Sequence, residues 1–191
     1  MSILAPLGRP LYRLALVALL SLCGAGICQA QTDRPNDESQ VKAAYLYKLA
    51  GYVEWPEGAL GDGDAPFTIG VLGAEPIAEE LAQIASGRKV HARPIVVRRL
   101  RAGDGLDGLA VLFVGKAETA RLKPLQGRLQ SHSVLVVTED EAGLALGGII
   151  NFLLVDRRVR FEVSLEPAEK RGLRLSSRML AVAQKVHPGE R

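Results

Sequence analysis

The run Leu109-Ala110-Val111-Leu112-Phe113-Val114 has no polar side chain and is closed by Gly108 and Gly115. A strand that is apolar on both faces belongs inside a sheet covered on both sides. Phe67–Leu72 reads the same way, and residues 134–138 give a further run of this kind. Between them lie helical stretches: residues 77–85, set off by Gly73 and Pro76, and residues 117–130, which Pro124 interrupts or restarts. Residues 93–97 add another strand. Such alternation predicts an α/β fold of one domain, with a mostly parallel sheet flanked by helices.

The two ends of this pattern differ from its middle. From Ser39, the positions Val41, Ala44, Tyr45, Leu49 and Tyr52 recur at three- and four-residue steps. They mark one buried helix face, with Lys42 turned away from it. Pro56 is expected to end that helix near Glu54 or Trp55, because the residue before a proline is driven out of the α region. Residues 58–66 form a loop. In the last third, Gly147-Gly148 precedes residues 149–155, Asp156-Arg157-Arg158 makes a turn, and residues 159–164 return. Val159, Phe161 and Val163 alternate with Arg160 and Glu162, which predicts an antiparallel hairpin with one buried face. A short helical turn at residues 167–171 and a closing helix from Ser176 to about Lys185 complete the pattern. Ser176 or Ser177 supplies the hydroxyl that caps the closing helix.

Residues 1–30 read as a secretory leader. Arg9 and Arg13 form a basic start, residues 14–22 an apolar core, and Cys28-Gln29-Ala30 a small-residue cleavage site. A spanning helix needs about 20 apolar residues, more than this core holds. Apolar character continues through Gly24-Ala25-Gly26-Ile27, so an uncleaved anchor is the second reading of the stretch. The expected organisation is a leader at 1–30, a flexible mature N-terminus at 31–38 and a domain at 39–187, exported from the cytoplasm. Cleavage removes both cysteines, Cys23 and Cys28, leaving a mature domain without thiol chemistry or disulfides. It also removes two of the 24 basic residues, which then nearly balance the 21 acidic ones. That balance argues against a nucleic-acid partner, which calls for a clustered basic face.

Catalytic signals are sparse. His91, His132 and His187 lack a second ligand at helical spacing, so no metal site is expected, and no cofactor. There is no G-x-S-x-G elbow. Ser131-His132-Ser133 places the right residue types side by side, but a triad is assembled by folding rather than by sequence adjacency. Residues 143–148 are glycine-rich yet lead into a strand and lack the lysine of a phosphate loop. Trp55, in Tyr52-Val53-Glu54-Trp55-Pro56, admits two readings: a plug over the end of the core, or an aromatic anchor for a partner.

Two groups of segments resemble a known family. Val41-Lys42-Ala43-Ala44-Tyr45-Leu46-Tyr47-Lys48 and Val53-Glu54-Trp55-Pro56 are similar to the opening signature of the YfiR family of bacterial periplasmic proteins. The second half agrees, with Gly147-Gly148-Ile149-Ile150-Asn151-Phe152, Val159-Arg160-Phe161-Glu162-Val163, Ala168, Gly172-Leu173 and Ser176-Ser177-Arg178-Met179-Leu180. Pro56, Gly147, Gly148, Asn151, Phe161, Gly172, Ser176 and Ser177 are the structural positions of these motifs. The resemblance implies a regulator and not an enzyme. Its best-known members repress an inner-membrane diguanylate cyclase by binding its periplasmic sensor domain, which restrains cyclic-di-GMP and biofilm formation. It also implies a homodimer. Two departures stand out: the mature domain has no cysteine where the best-known member has disulfides, and Ser164 stands where the family commonly has Asn.

On that reading the partner is an inner-membrane signalling protein with a periplasmic sensor domain. Candidate partner-binding residues are Tyr45, Tyr47, Tyr52 and Trp55 as aromatic anchors, with Arg160 and Glu162 flanking them. The alternative is a small-molecule sensor. Sheets of this class open ligand crevices at the carboxyl ends of their strands, here near Gly73, Gly115 and Glu139.

Overall fold

A computed structural model describes residues 35–189, and the expected leader lies outside the described residues. The elements in chain order are α1 (Pro35–Ala50), β1 (Val53–Glu54), β2 (Phe67–Leu72), α2 (Glu75–Ala85), β3 (Lys89–Val90), β4 (Arg93–Leu100) and β5 (Leu109–Val114). A 3-10 turn (Lys116–Arg121) leads into α3 (Leu122–Gln130), β6 (Leu135–Thr138), β7 (Ile150–Val155) and β8 (Arg158–Ser164). Then come α4 (Leu165–Lys170), β9 (Arg174–Leu175), α5 (Ser177–Leu180) and β10 (Lys185–His187).

Eight strands form one sheet in the order β10-β8-β7-β6-β5-β2-β4-β3. The inner strands β4, β2, β5, β6 and β7 are parallel. The β7–β8 hairpin is antiparallel, as the sequence predicts. Alternation along each strand splits the core in two. Phe67, Ile69, Val71, Val111, Phe113, Leu135 and Val137 pack beneath α1 and α2, against Leu46, Leu49, Ile77 and Leu81. Leu112, Val114, Val134 and Val136 pack on the other face against Leu122 and Leu129 of α3. Both faces are therefore buried, as unbroken apolar strands require.

Pro124 sits in the first turn of α3, where a missing backbone N–H costs nothing, and the preceding residues wind as a 3-10 turn. The hairpin turn consists of Asp156 and Arg157, both at positive φ (49° and 59°), the geometry that matches strand twist.

Three expectations from sequence are corrected. First, α1 ends at Ala50, short of Glu54, because Gly51 and Tyr52 wind into a turn on the Lys48 and Leu49 carbonyls. Residues 53–54 are then drawn into an antiparallel pair with Arg174 and Leu175. Second, the helix stripe is rotated: Val41 is 42% exposed and Lys42 only 7%. Third, the closing helix is a single turn, Ser177–Leu180, capped by the Ser176 hydroxyl accepting from the Arg178 N–H. Beyond it Lys185–His187 forms a parallel strand on β8, because that edge still offered unpaired backbone groups.

Candidate functional site

Counted in chain order, the parallel strands follow the doubly wound order second-first-third-fourth-fifth, whose usual ligand crevice lies between the carboxyl ends of the first and third strands. Here those are β2 and β5, ending at Gly73 and Gly115. That crevice is closed. Gly115 donates its N–H to the Leu72 carbonyl at 2.8 Å, and a Cβ on Gly115 would lie 2.4 Å from the Gly73 carbonyl oxygen. Gly73, at φ +70°, is backed by the Glu118 side chain.

The opening lies farther along, where β6 stops at Thr138 and β7 continues to Val155. A cleft of about 670 Å³ occupies this corner. One wall carries Glu38 and Lys42 of α1, Lys116 and Glu139; the other is the hairpin wall from Asn151 to Leu154, with Glu162 behind it.

The charged wall is fixed by a long-range ion pair. Lys42 Nζ donates to Glu139 Oε2 at 2.6 Å and also to Glu38 one turn earlier on α1. The Lys42 and Glu139 side chains are 9% and 15% exposed. Burial pushes the ammonium pKa down, but hydrogen bonds and charge from Glu139 and Glu38 outweigh it, so the net shift is upward. The second oxygen of Glu139 accepts the Lys116 backbone N–H at 3.1 Å. One carboxylate thus ties α1 to the segment after β5. Asn151 is also buried; its Oδ1 accepts from the Thr138 hydroxyl at 2.7 Å. Glu162 lies 3.0 Å from His187 Nε2.

The aromatic candidates do not form one patch. Tyr45 packs on Phe152 and Phe161, with ring centroids 6.0 and 5.9 Å away, next to the cleft. Tyr47 lies under the Arg88 guanidinium. Trp55 is half-buried, edge-on to Phe67 at 5.2 Å and to His91 at 5.6 Å, with its indole N–H enclosed and meeting no acceptor among the described residues. Tyr52 is 43% exposed. Arg160 is exposed on β8 opposite Leu153.

The motif residues meet each other. Gly172, at φ +70°, lets the Pro56 ring approach to within 2.9 Å of where a Cβ would stand, joining the first motif to the last. Gly147 gives its carbonyl to Arg171 Nη2 at 2.8 Å. Arg171 is buried with a second carbonyl, Val134, as its other acceptor, and burial pushes its guanidinium down to about 10.

Ser131 and His132 do not make a nucleophile–base pair. His132 Nδ1 lies 2.7 Å from the Arg128 carbonyl, so that nitrogen carries the proton and cannot accept one from Ser131, whose hydroxyl donates to the same carbonyl. Among the described residues no group of three or more His, Cys, Asp or Glu could hold a metal ion.

Sequence reasoning missed Lys42 as a site residue, and with it Glu38 and Asn151 as cleft residues. The Glu38–Lys42 spacing of one helical turn signals an ion pair, but nothing local announces Glu139 as the third member. A family model described as YfiR/HmsC-like matches residues 39–184.

Proposed function

The chain belongs to the YfiR/HmsC-like family, and we propose that it is a periplasmic regulator that represses an inner-membrane diguanylate cyclase by docking on its sensor domain. On this reading residues 1–30 are a cleaved leader and 39–187 the acting domain; the expected flexible stretch at 31–38 is corrected over Pro35–Glu38, which form the first turn of α1 with Glu38 paired to Lys42. The observation that carries the reading is the cleft between α1 and the β7–β8 hairpin. Its walls mix a fixed ion pair with apolar side chains, a surface suited to recognition, and they hold no nucleophile beside a base. Glu162 lies in it, and Tyr45, Arg160 and the exposed Tyr52 extend the surface around the domain. Tyr47, beneath Arg88, and Trp55, against Phe67 and His91, lie outside the cleft lining.

Repression then works by linkage. A protein that binds one state of the sensor more tightly shifts the cyclase by that difference in affinity and no further. Turning the cyclase from almost fully on to almost fully off takes about 5.5 kcal/mol of differential binding. Deleting the gene is expected to raise cellular cyclic-di-GMP several-fold, with the level restored by the full chain. An unchanged level refutes the proposal.

The cleft volume favours a second reading, a small-molecule sensor, because about 300–1,000 Å³ is the size range of ligand pockets. A saturable rise in melting temperature with a periplasmic metabolite is the expected sign of it.

A further inference from the structure

The β7–β8 hairpin runs past the end of β6 and leaves a free strand edge inside the cleft. β6 pairs with β7 only at Ile150 and Asn151, whereas β8 stays paired with β7 as far as Val155. The turn holds two residues, so Val155 and Arg158 close it as a hydrogen-bonded pair. Pairs alternate in class along an antiparallel ladder, which turns the backbone N–H and C=O of Leu154 away from β8. Phe161 has the matching parity, since its carbonyl accepts from Gln184 on the far side of β8. Leu154 therefore offers its backbone groups along the line β6 would have followed.

Four further observations mark this edge. It is unguarded: free edges are usually blunted by charge, proline or a bulge, yet residues 152–155 are Phe-Leu-Leu-Val. The stretch of β4 that runs beyond β3, by contrast, carries Arg98 and Arg99. The Leu154 side chain is 53% exposed. Asn151, 7% exposed and lining the cleft, uses its Oδ1 on Thr138, while its amide N–H groups meet no acceptor among the described residues. The cleft also wraps the edge from both faces of the sheet: Phe152 lies on the α1 face with Tyr45, and Asn151 lies on the opposite face beside Thr138.

We propose that this edge is a strand slot. An extended segment of the sensor domain adds to β7 in line with β6, which deepens the regulatory reading above and rests on it. Backbone bonds to Leu154 supply a sequence-independent part of the binding, and side chains select the partner. The slot asks for an apolar residue against Leu154. It also asks for a basic one, because the carboxylates of Glu38, Glu139, Glu141 and Glu162 outnumber Lys42 and Lys116 in the lining.

Leu154→Pro separates backbone from side chain. Proline there removes the outward N–H without touching the ladder to β8, a position sheets tolerate. Leu154→Ala keeps that N–H. Both are measured against the purified periplasmic domains of the host's inner-membrane diguanylate cyclases, taken one at a time. Leu154→Pro is expected to weaken binding at least about tenfold and Leu154→Ala less than about threefold, relative to the unaltered chain. Independently of any variant, hydrogen exchange at the Leu154 amide of the unaltered chain slows in the complex. Equal binding by the two variants, or unchanged exchange at Leu154 in a formed complex, overturns the slot and leaves the regulatory reading standing. Failure of the unaltered chain to bind every domain overturns both. Self-association lost in Leu154→Pro gives the edge to a second copy and overturns the proposal.

Discussion

The sheet has two places at its carboxyl end where a site could open, and they have opposite contents. Between β2 and β5, where strand order reverses, the Gly73 and Gly115 backbones meet and Glu118 covers the remainder. At the end of β6 the neighbouring strand simply outruns it, and a cleft of about 670 Å³ results. Topology nominates the first position; unequal strand length creates the second. A reversal of strand order makes a crevice only if the backbones at it stay apart, whereas a hairpin that overshoots its neighbour exposes an edge whatever the order.

The sharpest way to break this comparison is to unfix the open side. Lys42→Met leaves Glu139 poorly solvated and unpaired, and is expected to cost about 3 kcal/mol, the low end for breaking a buried pair. In thermal unfolding that is a drop of roughly 6–12 °C. Adding Glu139→Gln should recover part of it, the coupling that a double-mutant cycle reads. The pair also has a pH signature. The Lys42 pKa is raised on folding, so the unfolded chain releases this proton first. The stabilisation is complete below the ordinary lysine value of 10.5 and is lost as pH rises above it. The stability difference between the native chain and Lys42→Met is therefore expected to narrow as pH rises above 10.5.

The closed side is tested by overfilling it. Gly115→Ala places a methyl 2.4 Å from the Gly73 carbonyl oxygen, and the backbones must separate. The expected loss is about 2 kcal/mol, seen as a lower urea midpoint at unchanged slope. A null result would mean that the two backbones part easily and that the crevice can open. Gly127→Ala in α3 is the control, since nothing lies within 4 Å of its added Cβ. It should stabilise by about 0.5–1 kcal/mol through helix propensity alone.

Much of the fold was legible, for identifiable reasons. The strands β2 and β5 are apolar on both faces, and Pro124 at the start of α3 is a local signal. The end of α1 was not legible. Pro56 marks where a helix can no longer run, but the helix stops earlier because residues 53–54 pair with Arg174 and Leu175. Likewise the sequence predicts a helix to about Lys185, whereas Lys185–His187 is a strand because β8 has a free edge. In the site, Glu139 was recognisable from its place after a strand. Lys42 was not, since its partner lies 97 residues away. Trp55 allowed both a plug and an anchor, and its ring lies edge-on to Phe67 with the N–H enclosed.

By itself the sequence determined the alternation of strand and helix, the burial of both sheet faces and the hairpin. These follow from periodicity and turn chemistry, which act between residues a few positions apart. Only the tertiary structure decided which carboxyl-end opening is filled and which is free. That outcome depends on where β6 stops relative to β7, on two glycine backbones meeting across a sheet, and on an ion pair between α1 and the end of β6. Each is a contact between distant segments, and its energy is defined only once the chain has brought them together.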